Sequence, residues 1–593
     1  MGSILQFFIN YLIGKLFPMK YACDFETTTN PEDCRVWAWG AREVDRGIEE
    51  IGKDIQSFID WCSLRDNSKL YFHNLKFDGG FIVDYLLKNG YTWNEDEKKL
   101  KEKQFTTVIS DMGQWYTITI RFENRSGLKR KITIYDSLKF IPMSIEEMPK
   151  AYGLEDKKLE LDYNKQRPIG YEMDENEREY LLADVRILAK VIKIMHDNGQ
   201  KKTTTASNAL SSFKGLYGKG YKWDFPILDR ETDADIRKTY KGGFTYLNPK
   251  YKGEDIGEGA VYDINSMYPW AMKYCKLPYG RPVYFKGEYK KSKIFDLYTI
   301  CLRCSFKLKH NRIPSIQIKK SWKFNETEYL IDSEGEVILN LTCVDYELML
   351  HNYDVTVYEV YGGYMMKSKV GIFSDYIDYW YDLKTRSRNK GDKAMERISK
   401  LMLNSLYGKF GSAKDRRQKM PYLDDNGKVC YHVMNGRESP GGYLPIASFI
   451  TSYCRDKIIR AAELCGDRFV YADTDSLHIC GLEPIPGLDV DNNRLGAFKL
   501  EETFVRARFI RQKTYFEVIS EGGTERMDIK AAGMPKAAKQ LVTEDNFHEG
   551  AEFGGKLVPR TVPGGVILRE TTFTIKKDDI VTPLDMQKKY DKR

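Results

Sequence analysis

The chain has 593 residues, with 93 Lys and Arg against 85 Asp and Glu for a net charge of +8, and its aromatic residues include 40 Tyr and 29 Phe. That length exceeds what one hydrophobic core serves and excludes a single-domain chain, so a large multidomain globular protein is expected. The mild basic surplus suits a polyanionic partner, and the many rings suit stacking on bases.

Eleven Cys are spread widely, and the one close pair, Cys301-x-x-Cys304, lacks the second pair of a zinc finger. A reduced cytoplasmic setting follows, and the seven scattered His are assigned to no metal. At the amino terminus Ile4, Leu5, Phe7, Phe8, Ile9, Tyr11, Leu12, Ile13, Leu16 and Phe17 form an apolar run broken by Lys15. It is too short and interrupted for a membrane span, has no cleavage site, and carries Gln6 where a myristoylation signal needs Ser or Thr. Because Met19 precedes a strand pattern, residues 1–18 read as an extension from an upstream start, with a short amphipathic anchor as the alternative. No other stretch is long and apolar enough to cross a bilayer.

Lys20 to Thr29 alternates as a strand, which puts Asp24 and Glu26 on one face where two acids can share a cation. Leu70 to Asn74 predicts a second strand, after which a turn over Leu75-Lys76-Phe77 presents Asp78 before Gly79-Gly80 and a helix from Phe81. A helix over Glu175–Asp197 sets Tyr180 and Asp184 on one face. Each acid alone is most simply a solvated surface group. Jointly, D-x-E, N-x3-D and Y-x3-D in that order supply what phosphodiester hydrolysis needs, carboxylates for two metals and a phenol to orient the attacking water. Tyr71, His73, Asn74 and Phe77 are expected to touch a single strand, since rings stack on bases and amides hold phosphates; packing is the simpler reading for Phe81.

Tyr240-Lys241-Gly242-Gly243-Phe244 is a glycine-rich turn that lets backbone approach a phosphodiester chain. Ala260 to Ile264 reads as a strand carrying Asp263, followed by a tight turn through Ser266. A Tyr268 ring under a sugar leaves no room for a 2′-hydroxyl. A helix from Lys393 to about Tyr407 sets Lys400, Asn404 and Tyr407 on one face, suited to a phosphate tail, a sugar and a base. Lys384 belongs to a basic stretch whose default reading is a solvated face. Pro421 to Tyr431 places Asn426-Gly427 between apolar runs, a hairpin signal. Asp473 and Asp475 in Tyr471-Ala472-Asp473-Thr474-Asp475-Ser476 sit where a hairpin turns, between strands at Asp467–Tyr471 and Leu477–Ile479. With Asp263 they give three carboxylates for two metals, one activating a primer hydroxyl and one bridging a triphosphate. Arg511 to Tyr515 is expected to place Lys513 and Tyr515 on one strand face as a clamp on the primer end.

Taken in order, these motifs resemble the three exonuclease motifs and the polymerase motifs of family B DNA polymerases, over residues 19 to about 577, and within that family the protein-primed branch of small tailed phages, the phi-29 type. The resemblance implies an α/β and α+β multidomain fold, with an RNase H-like 3′-5′ exonuclease domain at 19–200 and a right-hand polymerase domain at 201–593. In the latter it implies a palm at about 201–300, 373–380 and 443–529, a first insertion at about 301–372, fingers at about 381–410, a second insertion hairpin at about 411–442, a thumb at about 530–577 and a tail at 578–593. In the family the insertions bind terminal protein and help separate strands. Lys158 matches an additional catalytic lysine of that branch, and Ser137 and Leu138 match a further strand-binding motif. Met267 stands where Leu is usual, Arg397 replaces a lysine, and a few extra residues lie near Ser387 to Asp392.

The implied activity is DNA-directed synthesis primed by a terminal-protein hydroxyl, with strand displacement and proofreading. Two Mg2+ or Mn2+ ions per site are implied, held by Asp263, Asp473 and Asp475 for synthesis and by Asp24, Glu26 and Asp184 for editing, with Asp78, Tyr180 and Lys158 assisting. DNA, deoxynucleoside triphosphates and terminal protein are the implied partners, for a monomer or a heterodimer with terminal protein in the cytoplasm of an infected bacterium. Two rivals remain: a nucleic-acid-primed replicative polymerase, against which the two insertions speak, and an inert replication scaffold, against which the two intact acid sets speak.

Overall fold

The computed structural model describes residues 18–124, 130–163, 165–319, 327–435 and 439–576, so nearly all of the expected extension and the whole tail lie outside the described residues. No helix among the described residues is long and apolar enough to cross a membrane.

The first domain is one sheet built from β1 (Lys20–Thr27), β2 (Val36–Glu43), β3 (Glu49–Gly52), β4 (Ser68–Phe72), β5 (Thr92–Trp93), β6 (Gln104–Ile109), β7 (Trp115–Arg121) and β8 (Lys131–Asp136). Its spatial order is β3-β2-β1-β4-β8-β7-β6-β5, with β1–β4 and β4–β8 parallel. Parallel neighbours require crossovers, supplied first by α1 (Ile55–Ser63) and then by α2 (Leu75–Lys88). Both α1 and α3 (Glu175–Asp197) open on capping boxes, from Asp54 with Ser57 and from Asp174 with Glu177. α3 lies across β1 and β2.

α2 starts at Leu75, so the turn expected there is its first turn, and Asp78 belongs to the helix. Asn74, at φ 70°, makes the strand-to-helix bend instead. Gly79 and Gly80, which obscure this start in the sequence, allow close packing: an added Cβ would lie 2.6 Å from the Trp115 ring and 2.4 Å from Val566, respectively.

Beyond α4 (Thr205–Tyr217), β9 (Thr245–Leu247), β10 (Asp255–Ile256) and β11 (Gly259–Ile264) lead into α5 (Met267–Tyr274). A four-stranded sheet follows, made of β12 (Leu277–Lys286), β13 (Leu297–Leu308), β16 (Val337–Thr342) and β17 (Tyr353–Lys369). It carries a small hairpin, β14 (Gln317–Lys319) with β15 (Thr327–Tyr329), and is flanked by α6 (Cys343–Asn352). This strand-rich unit starts at Leu277 rather than near residue 301. β12 is its edge strand, where Pro278 and Pro282 are tolerated although they erase the alternation that marks a strand in sequence.

α7 (Ser374–Lys390) and α8 (Lys393–Ser405) pack together over the segment expected to carry the fingers. α7 runs unbroken through the expected palm boundary at 380, since it contains no Gly or Pro before Gly391 ends it at φ 72°. β18 (Gln418–Leu423) and β19 (Val429–Met434) form the hairpin signalled by Asn426-Gly427. It docks on the first domain, with Val429 in that domain's core and Tyr431 edge-on to Trp115. α9 (Leu444–Leu464) is buried on nearly every side and forms the spine. β20 (Phe469–Asp473), β21 (Ser476–Cys480) and β22 (Phe498–Phe504) complete an antiparallel palm sheet of order β22-β11-β21-β20-β9. β23 (Arg506–Arg511), β24 (Thr514–Glu521) and β25 (Thr524–Ala531) join β10 in a second sheet, so the expected thumb start at Lys530 falls within a strand of that sheet. The last hairpin, β26 (Glu552–Val562) with β27 (Gly565–Thr574), reaches back to α2, where Gly564 N donates to Asp84 Oδ1 at 3.1 Å. The result is the α/β and α+β right-hand architecture with an added RNase H-like domain.

Candidate active site

Asp263 on β11 and Asp473 on β20 both stand opposite Ser476 of the strand between them. Directly opposed residues share a sheet face, so the two carboxylates flank that strand across roughly 10 Å of backbone, two strand spacings. Asp475 fills the turn. Thr474 adopts φ 66°, a costly conformation for a branched residue, and its N–H donates to Phe244 O at 2.6 Å. Ile264 N donates to Asp475 O at 2.9 Å, tying the turn to the strand of Asp263. Burial, then Asp475, pushes the Asp263 carboxyl up to about 7, and burial raises Asp475. Lys513 Nζ donates to both oxygens of Asp473 at 2.6 and 2.7 Å, while Lys499 Nζ lies 3.9 Å from Asp263 Oδ2.

Beside these acids the Tyr268 and Tyr407 rings stack with centroids 4.1 Å apart and planes 12° apart. Gly243 fits against them, since a Cβ there would come within 2.9 Å of Thr474 and 3.3 Å of the Tyr268 hydroxyl. Burial, then Arg388 and Lys400, lowers the Lys384 pKa, so cations from α7 and α8 converge. Asn404 is exposed on the same helix as Lys400. Ser266 takes φ 50° at the start of α5.

The second set of acids lies on β1, α2 and α3. Burial, then Asp184, pushes Asp24 up to about 7, and burial with Asp24 raises Glu26 well above the usual carboxylate range. Asp78 is likewise raised, by burial first and then by Asp24. Lys158 Nζ is 3.1 Å from Asp184 Oδ2, and that pairing raises the lysine pKa against the opposing effect of burial. The Tyr180 hydroxyl is 2.8 Å from the Tyr163 hydroxyl.

Several residues expected to touch a strand are placed otherwise. Tyr71, 5% exposed, packs on Tyr135, Phe140 and His196. Ser137 is fully buried, with its hydroxyl 2.9 Å from both His73 Nδ1 and Phe72 O. His73 Nε2 donates to Met143 O at 2.7 Å, and burial holds the ring neutral with its pKa lowered to about 4. Ser137 therefore fixes His73 instead of facing solvent, while Asn74 is exposed and Phe77 and Leu138 are half-buried beside it. Phe244 is a core residue that serves through its carbonyl. Lys513 lies in the β23–β24 turn at φ 57° and Tyr515 is buried in β24, so they do not share a strand face. Both instead meet Tyr471, through Lys513 N to the Tyr471 hydroxyl at 3.0 Å and ring centroids 5.3 Å apart. Tyr240 is half-buried and its hydroxyl abuts Gly411. Tyr163 and Lys499 carry no motif in the sequence, because one lies in an irregular loop and the other reaches Asp263 only through strand pairing.

Among the described residues no three His, Cys, Asp or Glu side chains sit close enough to hold a metal unaided. Divalent cations nonetheless fit both places: Asp184 Oδ1 is buried without a hydrogen-bond partner, and the acids of each set raise one another's pKa. Magnesium typically takes one or two carboxylates and completes its shell with water and substrate phosphate.

The family model of DNA polymerase type B, organellar and viral, matches residues 59–167 and 157–485. The chain is 41% identical over 583 residues to the DNA polymerase of Bacillus phage phi29, covering 95% of this chain and 100% of that one. It is 34% identical to the DNA polymerase of Streptococcus phage Cp-1, covering 94% and 99%. Solved structures of phi29 DNA polymerase superpose with a TM-score of 0.90 for an orthorhombic crystal form and 0.88 for a ternary complex with primer-template DNA and incoming nucleotide, each at 39% identity and covering 94% of this chain and 100% of that one. Together with the two acid sets and the right-hand fold, these similarities establish that the chain belongs to the organellar and viral type B DNA polymerases and is an enzyme of that family.

Proposed function

We propose that this phi29-type phage DNA polymerase starts synthesis from the hydroxyl of a terminal protein, displaces the non-template strand unaided, and edits with a 3′-5′ exonuclease. The observation that carries the two-centre reading is the pair of separate acid sets, one flanking Ser476 in the palm sheet and one on β1 and α3. Magnesium or manganese, two ions per centre, would be held by Asp263, Asp473 and Asp475 and by Asp24, Glu26 and Asp184, and would supply Lewis-acid activation and charge neutralisation.

In the palm, Lys384 and Lys400 attract the triphosphate, the Tyr268–Tyr407 stack frames the sugar, and Lys513 exchanges Asp473 for the primer end. Gly242 and Gly243 let backbone approach the strand beside that stack. In the first domain Lys158 holds Asp184, Tyr180 with Tyr163 orients water, and Asp78 steadies the β1 end. His73, Asn74, Phe77 and Leu138 receive the unpaired strand. Phi29 DNA polymerase has been solved with primer-template, with single-stranded DNA and with incoming nucleotide, which supports the same substrates here. The exposed apolar side chains of the four-stranded unit, Val283, Tyr284, Ile338, Val357 and Tyr358, suit contact with terminal protein, and the β18–β19 hairpin bridging to the first domain suits strand separation. The setting would be the cytoplasm of an infected bacterium.

The test is an incubation with cognate terminal protein, magnesium and labelled deoxyadenosine triphosphate without a DNA primer. Protein-linked label is the expected result. Extension of DNA primers without any protein-linked label would reject protein priming and leave a nucleic-acid-primed enzyme.

A further inference from the structure

A cavity of about 210 Å3 lies where the end of α3 meets the start of α4, lined by Lys69, Lys201, Lys202, Tyr71, His196 and Ser207 among others. It is outside both acid sets. The parallel β1–β4 register puts Lys69 opposite Lys20, four residues from Asp24, which at about 3.3 Å per residue is roughly 13 Å. Along α3, His196 lies twelve residues beyond Asp184, about 18 Å at 1.5 Å per residue.

Three independent features make this cavity a place for an anion. The three lysines form no ion pair among the described residues, and the acid that acts on His196, Asp45, is already engaged by Lys20 at 3.0 Å and Lys193 at 4.0 Å. Tyr71 and His196 are 5% and 8% exposed, and neither the phenol nor the imidazole has a hydrogen-bond partner among the described residues. Their rings are fixed, Tyr71 stacked on Tyr135 at 5.4 Å and His196 on Phe140 at 6.1 Å, so their polar atoms are preset. Finally, α4 opens here: Thr204 caps it by accepting from Ser207 N at 3.1 Å, and free N–H groups at a helix start attract phosphate. Burial, then Lys20 and Lys69, lowers the His196 pKa to about 4, so the imidazole is neutral and one of its ring nitrogens can donate a hydrogen bond.

We propose that this cavity is an accessory phosphate pocket that seats one backbone phosphate of a DNA strand outside both catalytic centres, with Lys69, Lys201 and Lys202 supplying charge and Tyr71 and His196 donating hydrogen bonds. α4 also packs on α7 and α8, so the pocket lies between the exonuclease sheet and the helices that carry Lys384 and Lys400. It thereby holds a strand segment between editing and synthesis. The proposal rests on the chain being a DNA polymerase.

The test compares wild type with Lys201→Glu/Lys202→Glu, with Lys69→Met, and with the charge-neutral Tyr71→Phe and His196→Phe. Binding of a labelled single-stranded oligonucleotide is followed by anisotropy across a salt series. Each lysine variant is expected to flatten the slope of log affinity against log salt by about 0.7 for every phosphate it no longer neutralises. Tyr71→Phe and His196→Phe are expected to weaken binding three- to tenfold while leaving the melting temperature within a degree or two. Exposed Lys219→Glu/Lys222→Glu, just beyond the far end of α4, is the charge-matched control. An equal decrease in that control together with no effect of Tyr71→Phe or His196→Phe would overturn the pocket. A saturable thermal shift with orthophosphate or deoxyadenosine monophosphate, with an unchanged oligonucleotide slope, would overturn the strand assignment in favour of a free nucleotide. Wild-type protein that bound and extended no DNA at all would instead defeat the functional reading on which the pocket rests.

Discussion

Lys513 grips Asp473 through both carboxylate oxygens, at 2.6 and 2.7 Å, from a turn that belongs to a different sheet. A lysine so placed competes with any cation for that carboxylate. The ammonium is half-exposed, so the pair contributes about 0.2–1 kcal/mol. Lys513→Ala is expected to lower the magnesium concentration for half-maximal synthesis by at most about fivefold while raising KM for primer-template. Titrating magnesium at constant ionic strength measures the first effect; degradation of single strands by the same variant should be unchanged.

The two acid sets are separable. Asp475→Ala is expected to reduce synthesis by about 10³-fold or more and to spare degradation of single strands, since it removes several kcal/mol of transition-state stabilisation at one centre. Asp24→Ala with Glu26→Ala should do the reverse. Loss of both activities from either change, in protein with an unaltered melting curve, would show that the centres are not independent.

Asp24 and Asp263, both pushed up to about 7 from an ordinary 3.8, predict a pH-dependent stability in the presence of a chelator. Each carboxyl keeps its proton in the folded chain at a pH where the unfolded chain has lost it. This contribution is therefore full below about pH 4, declines from there to about 7, and is gone above it. The melting temperature should fall across that window, and Asp24→Asn should flatten the fall. Magnesium should restore most at pH 8, because cation binding needs the deprotonated carboxyls.

The Tyr268–Tyr407 stack predicts sugar selectivity. Tyr268→Val is expected to cost about 10²-fold in discrimination against ribonucleotides, the scale on which a steric wall rejects an added hydroxyl. Single-nucleotide incorporation of matched ribo- and deoxyribonucleotides checks this. Tyr407→Leu, which removes the stack and keeps the Tyr268 ring, should lose much less.

Gly80→Leu should push Val566 off α2, since even a Cβ at position 80 would meet it at 2.4 Å. Amides of Gly564 to Val566 are expected to exchange faster with deuterium. The cost is about 1–3 kcal/mol in local stability, as overpacking typically costs.

Motifs of short span are legible in the amino-acid sequence alone. Asp24 and Glu26 follow from strand alternation, Tyr180 and Asp184 from helix spacing, and the Asn426-Gly427 hairpin from its turn chemistry. Features set by long-range packing are not. The start of α2 is hidden because Gly79-Gly80 reads locally as a break, whereas tertiary contact with Trp115 and Val566 makes glycine the fitting residue. Ser137, Phe244 and Tyr515 belong to motifs whose polarity suggests contact with a strand, yet they are buried in the fold. Lys499 has no local signature at all, because only the β11–β22 pairing brings it to Asp263.

The hydrogen bond from Gly564 to Asp84 joins residues separated by 480 positions. During synthesis the first domain leaves the ribosome long before the hairpin that covers Gly80 and Phe81. At about 5–20 residues per second the delay is roughly 25–100 s. For that interval the apolar side of α2 lacks Val566, and for roughly the first 17–70 s of it, at the same rate, it also lacks the Val429 hairpin. The nascent nuclease domain is therefore the stage at which this chain is most exposed to chaperones and to aggregation, and carboxy-terminal truncation would make that stage permanent.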